Sequence, residues 1–135
     1  MSKRITADNV KLKRAYQLSA ADDGTRILID RLWPRGVKKT DAAIDEWIKD
    51  IAPSTALREW FGHDLTRWRE FRSRYGVEFR KHPEQLDRLR VLARRGLITL
   101  VYSARDELHN DGVVLRAFVL GRQTKRKPTM ATPKP

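Results

Sequence analysis

Two short segments of the chain are apolar almost without a break, and they decide which folds are open to it. Arg26–Trp33 reads RILIDRLW and is stopped by Pro34; Leu97–Tyr102 reads LITLVY. Neither alternates polar with apolar residues, as a strand with one wet face does. Each suits a strand covered on both faces, the condition of parallel sheets. Parallel neighbours need crossover connections, which are expected to be right-handed. Both runs fall far short of the roughly 20 apolar residues that cross a bilayer.

The rest of the pattern supplies the covering layers. Val10–Tyr16 has weaker strand character and ends at the turn signal SAADDG. Ile44, Trp47, Ile48 and Ile51 keep an i, i+3, i+4, i+7 spacing, which predicts a helix with one apolar face, ended by Ala52-Pro53. Ser54 is placed to cap a short helix carrying Leu57, Trp60 and Phe61. Asp64 is placed to cap a longer one with Leu65, Trp68, Phe71, Tyr75 and Phe79 along one side. Gly76 inside that helix marks either a close contact or a break. Pro83 and Gly96 bracket a third helix with Leu86, Leu89 and Ala93 facing inward. Asn110 is placed to cap a last helix, Val113–Leu120, closed by Gly121. The expectation is an α/β fold: a single small domain with a short, mostly parallel sheet flanked by helices. Strand order and oligomeric state are not legible.

At 135 residues the chain has room for one domain with a real core. Residues 1–9 are expected to be a flexible N-terminus, 10–121 the folded domain, and 122–135 a disordered basic tail (RQTKRKPTMATPKP). The absence of cysteine removes disulfides, thiol nucleophiles and thiolate-bound zinc, and fits a reducing compartment. No apolar stretch of signal-peptide type opens the chain. A cytoplasmic protein with no membrane partner is the expectation.

Lysine and arginine number 29 against 17 acidic residues, a formal charge of +12. Such an excess points toward anionic partners. Arg67, Arg69, Arg72, Arg74, Arg80 and Lys81 sit on the aromatic-rich helical region, where Arg69, Arg72 and Arg80 form a basic ridge away from the apolar side. The aromatic residues of that region recur at helical spacing and are read as core.

Chemistry is expected where loops leave the carboxyl ends of the strands. Two segments qualify. The first, Asp30-Arg31-Leu32-Trp33-Pro34-Arg35-Gly36, offers two guanidinium forks suited to carboxylate or phosphate and a flat indole. Asp30, adjoining an apolar run, is expected to pair with one of the arginines or to orient them. The second, Ser103-Ala104-Arg105-Asp106, leads into His109-Asn110 and a helix N-terminus. The ligand-binding set read from these segments is Asp30, Arg31, Trp33, Arg35, Ser103, Arg105, His109 and Asn110. Whether the cleft is catalytic is left open. If it is, His109 or Asp106 is the acid–base group, since no other imidazole lies near that edge. Ser103 is a weak nucleophile candidate because YSARD is not the G-x-S-x-G elbow. His63, His82 and His109 are scattered, so no metal site is expected. No glycine-rich phosphate loop occurs, and no cofactor is expected.

RILIDRLWPRGVKK, WIKDIAPSTALREWFGHD, RYGVEF and ITLVYSARDELHNDGVVL resemble, in order, the motifs of the YeaO-like family of uncharacterised proteins, a domain of unknown function. The resemblance spans about residues 10–121. It implies a single-domain α/β protein with no established activity. The matching polar positions are Asp30, Arg31, Trp33, Arg35, Ser54, Arg58, His63, Glu78, Ser103, Asp106, His109 and Asn110. Phe79 stands where leucine is favoured, and Gly112 where an alanine-like residue is usual. The resulting expectation is a polar cleft that takes a small phosphate- or nucleotide-like anion. The alternative is a nucleic-acid-binding accessory protein acting through the basic ridge and tail.

Overall fold

The computed structural model describes residues 5–121. Residues 1–4, and 122–135, where the basic tail is expected, lie outside the described residues. Four strands form one sheet in the order β1-β4-β2-β3: β1 Val10–Arg14, β2 Thr25–Leu28, β3 Glu46–Trp47 and β4 Ile98–Tyr102. All three pairings are parallel. β4 sits between β1 and β2 and is buried along its whole length, which explains why LITLVY has no polar alternation. In β2 the regular pairing ends at Leu28, and Ile29 adds one bond from its N–H to the Val101 carbonyl. The strand is therefore shorter than RILIDRLW suggests.

Five helices complete the domain: α1 Lys39–Ala42, α2 Thr55–Phe61, α3 Trp68–Phe79, α4 Pro83–Arg95 and α5 Asp111–Val119. The principal core lies on one face of the sheet, where Ile27, Leu100 and Tyr102 meet Phe71, Tyr75, Leu89 and Leu115. The opposite face holds a smaller cluster of Ala15, Leu28 and Val101, covered by Trp33, Ile44 and Trp47. The α/β expectation holds, with two unequal layers.

The helix expected over Ile44–Ile51 is not formed. Ala43 adopts a left-handed conformation (φ 48°) that ends α1, and Glu46–Trp47 then pairs with β2 as the edge strand. Lys49–Ile51 closes the segment as a 3-10 turn. The helical spacing of the apolar residues has another cause. Ile44 and Trp47 cover the small cluster, whereas Ile48 and Ile51 enter the principal core. The segment crosses the sheet edge and serves both faces.

The helix ends follow the sequence closely. Ser54 Oγ accepts from Leu57 N–H, Asp64 from Thr66 N–H, and Asn110 from Val113 N–H. Asp64 caps a 3-10 turn that leads into α3 rather than α3 itself. Gly76 marks a close contact and not a break: α3 continues through it, and an added Cβ would lie 3.1 Å from the Phe118 ring. Gly112 is likewise tight, since a Cβ there would meet Asn110 and Leu12 at 3.0 Å. The cap of α5 is intact despite this departure from the family pattern. At the N-terminal side, where a flexible end is expected up to residue 9, Ala7–Asn9 forms a 3-10 turn. It is tied down by Arg116, whose guanidinium donates to the Ala7 carbonyl, and by Asn9, which donates to Ala93.

The amino end of β2 carries a buried ionic cluster that the sequence does not advertise. Asp23 is fully buried and accepts from Arg26 (2.7 Å), itself 3% exposed, and from Lys11 and Lys13. Burial alone would raise the Asp23 pKa, but hydrogen bonds from the Ala20 N–H, Lys13, Lys11 and Arg26 hold it well below the usual carboxylate range.

Candidate functional site

The register of β2 on β4 pairs Leu28 with Val101, so the residues just beyond the two strand ends stand side by side. Asp30 and Ser103 meet there. The Ser103 N–H (2.9 Å) and hydroxyl (2.5 Å) both donate to one Asp30 carboxylate oxygen. The two turns singled out in the sequence thus converge on the same edge of the sheet. A hollow of about 410 Å³ opens above them, bounded by both turns, by the start of α5 and by α2 with the loop after it. That volume lies within the range of small-ligand sites, and the position is the usual one for parallel sheets.

Three guanidinium groups line it. Arg31 directs Nη2 to the carbonyls of Ala52 (3.2 Å) and Pro53 (3.5 Å), leaving its Nε buried without a partner among the described residues. Arg35 is exposed on the WPRG turn, whose backbone is anchored by the Tyr16 hydroxyl donating to the Arg35 carbonyl (3.0 Å). Gly36 follows with φ 79°, a conformation that suits glycine. Arg58 reaches the hollow from α2. Neither the Arg35 nor the Arg58 side chain has a hydrogen bond or ion pair among the described residues. Trp33 also lines the wall. Its indole N–H donates to Val37 (2.7 Å) and its ring meets Trp47 edge to face at 5.7 Å. Phe61 and Phe71, stacked at 4.5 Å, supply apolar surface.

Asp30 does not pair with or orient the arginines. Among the described residues it makes no ion pair with Arg31 or Arg35, because Ser103 and the Asp111 carboxyl occupy it instead. Ser103 in turn donates its hydroxyl to Asp30 and not to His109. His109 lines the hollow and is held by Asp106. The Asp106 carboxylate accepts from the Leu108 and His109 N–H groups and faces the imidazole Nδ1 at 3.0 Å. The Leu108 N–H bond is the main reason the Asp106 pKa is lowered, with His109 adding to it. An ionised carboxylate there assigns the proton to Nδ1. The Trp68 edge packs the same ring at 5.1 Å. Asn110 is buried and its amide is used in the loop, donating to Asp106 O and accepting from Val113 N–H.

Arg105 is exposed and is not among the residues that line the hollow. Asp111 was missed by sequence reasoning, as was the role of Arg58 and His63 as wall residues. Asp111 opens α5 and lies against Asp30; burial first, and then the Asp30 carboxylate, push its pKa well above the ordinary value. Ser54 and Glu78, two of the family-matching positions, serve structure. The Ser54 N–H and hydroxyl both donate to the Glu78 carboxylate and thereby join α2 to α3.

Two other charged regions are already committed. A hollow of about 440 Å³ along β3 has its arginine, Arg88, paired with Glu46 at 2.9 Å. Of the three arginines expected on the basic ridge, Arg72 lies over the Trp68 ring and Arg80 over Phe118; beside them Arg67 and Arg74 lie over Trp60, and Arg74 also pairs with Glu70.

The family model described as the inactive DUF488-N3 subclade matches residues 9–134. The chain belongs to that family. Among curated relatives, the uncharacterized protein YeaO of Escherichia coli K12 is 45% identical over 107 residues, covering 79% of this chain and 93% of the relative. An uncharacterized protein of Mycobacterium tuberculosis H37Rv is 40% identical over 118 residues, covering 87% of this chain and 99% of the relative. No solved structure matches the chain. Residues of both motifs line the hollow: Asp30–Arg35 from RILIDRLWPRG, and Ser103, Ala104, His109 and Asn110 from ITLVYSARDELHN. Among the described residues, no helix is long and apolar enough to cross a membrane.

Proposed function

We propose that members of this family with these residues bind a small anion, phosphate- or nucleotide-like, in the hollow between the two turns. The observation that carries the reading is the state of the three arginines. Among the described residues, Arg35 and Arg58 have unpartnered guanidinium groups, and Arg31 keeps a buried Nε without an acceptor. Guanidinium groups gathered at one cavity, with donors left over, match the oxygens of a phosphate or carboxylate. The first turn of α5 adds its field on the same side. Binding is favoured over catalysis. Ser103 is committed to Asp30, and the subclade whose model matches is described as inactive.

The nucleic-acid alternative has less behind it, because most of the ridge arginines lie on aromatic rings of their own chain. Calorimetric titration with inorganic phosphate and with mononucleotides tests the proposal. Arg35→Ala and Arg58→Ala are each expected to weaken binding roughly tenfold, as the loss of a hydrogen bond to a charged group does. Unchanged affinity in both variants would overturn the reading. Binding to duplex or single strands that disappears on removal of 122–135 would favour the alternative.

A further inference from the structure

The same hollow carries two acids as well as three arginines. Asp30 follows β2 and Asp111 opens α5, and their carboxyl groups are within hydrogen-bonding reach of each other. Two carboxylates this close do not both ionise unless a cation or a shared proton lies between them. The chain supplies no cation of its own: among the described residues neither acid takes part in an ion pair. Arg31, next to Asp30 in sequence, donates instead to the carbonyls of Ala52 and Pro53. A metal ion finds too few ligands, since the described residues hold no group of three or more histidine, cysteine, aspartate or glutamate side chains suited to one. The Asp30 pair is also fixed in place by Ser103, and Trp47 donates its indole N–H to the Asp30 carbonyl (2.7 Å). The acids therefore form a fixed acceptor in the hollow that the exposed guanidinium groups of Arg35 and Arg58 also line.

We infer that the occupant is bipolar: an anion held by Arg35 and Arg58 at one end, with amine or amidine N–H donors directed at Asp30 and Asp111 at the other. This rests on the anion reading of the hollow and narrows it. A plain phosphate satisfies the arginines and leaves the acids facing one another. An N–H donor set satisfies both, replacing the shared proton with a directed bond. Two sources carry this chemistry: a nucleotide with adjacent N–H groups on its base edge, as guanine has, and an aminoalkyl phosphate.

Calorimetric titration of the full chain at neutral pH distinguishes them. The probes are inorganic phosphate, guanosine 5′-monophosphate with ribose 5-phosphate as its base-free counterpart, and phosphoethanolamine with ethyl phosphate as its amine-free counterpart. At least one aminated probe is expected to bind about tenfold or more tighter than its counterpart, and the identity of that probe names the source. Asp111→Asn and Asp30→Asn are each expected to shrink that preference to about twofold. Equal binding of both aminated probes and their counterparts would overturn the inference and spare the anion reading. Failure of every probe, inorganic phosphate included, would overturn both. The comparison in the unsubstituted protein decides the matter even if a variant does not fold.

Discussion

Ser103 and Asp30, 73 residues apart in the chain, are locked together by two donated bonds from one residue to one carboxylate oxygen. This contact ties the turn after β2 to the turn after β4, and both turns line the hollow. Ser103→Ala removes the hydroxyl bond and keeps the N–H bond. The expected loss is about 1 kcal/mol, read as a fall of several degrees in the thermal midpoint. Phosphate affinity is expected to fall with it, since the arginine-bearing turn loses an anchor. A variant with wild-type melting and wild-type affinity would show that the contact holds nothing.

The buried cluster around Asp23 makes the stability of the fold depend on pH. Asp23→Ala strands Arg26, 3% exposed, without its carboxylate. Removing one partner of a buried pair costs about 3–5 kcal/mol. The sign follows from the depressed folded pKa of Asp23. Its contribution is complete above the unfolded aspartate value, near pH 4, and is lost as the pH falls through the folded value. Urea titrations of both proteins should therefore show a large gap at pH 7 that narrows at pH 3 and below. A gap of constant size would assign the loss to packing alone.

Gly24 is expected to resist any substitution. Its φ of +67° lies where side chains are strained, and an added Cβ would fall 2.1 Å from the Leu97 carbonyl oxygen. That oxygen accepts the Thr25 N–H at the start of the β2–β4 ladder. Gly24→Ala should cost at least about 2 kcal/mol by strain and overlap together. Equilibrium denaturation measures it, and a near-neutral result would mean that the turn rearranges without disturbing the ladder.

What was readable in the chain was whatever a short stretch decides for itself. β4 is covered on both faces and so carries no polar alternation, and Ser54, Asp64 and Asn110 cap the turns that begin beside them. The segment at Ile44–Ile51 misled because its apolar residues are divided between two faces of the sheet, a division that only the edge position of β3 creates. The site divides in the same way. Arg31 and Arg35 sit on a strand-end motif and could be found. Asp111 carries no signal in the chain, because only the folded position of the turn after β2 beside the start of α5 places it against Asp30. Arg58 belongs to a helix whose side facing the hollow is set by the Ser54–Glu78 contact. Arg26 opens the apolar run RILIDRLW, yet it is half of a buried ion pair with Asp23 that the run gives no hint of.

Asp111→Asn separates the charge of the acid pair from its shape. Burial, then Asp30, raise the Asp111 carboxyl well above its ordinary pKa, so the folded chain binds a proton that the unfolded chain releases near pH 4. Stability therefore declines as pH rises from that value toward the raised folded one, the reverse of the Asp23 case. The amide variant carries no such penalty. Relative to wild type it should be more stable at pH 8 than at pH 4, a difference that thermal melting across the pH range reads directly. Tyr75 lies beneath the same acids with its own hydroxyl pKa raised, chiefly by burial, so it stays neutral throughout and does not confuse the comparison. A stability difference that does not change with pH would mean that Asp30 and Asp111 are not sharing a proton, and the acceptor wall assigned to them would lose its basis.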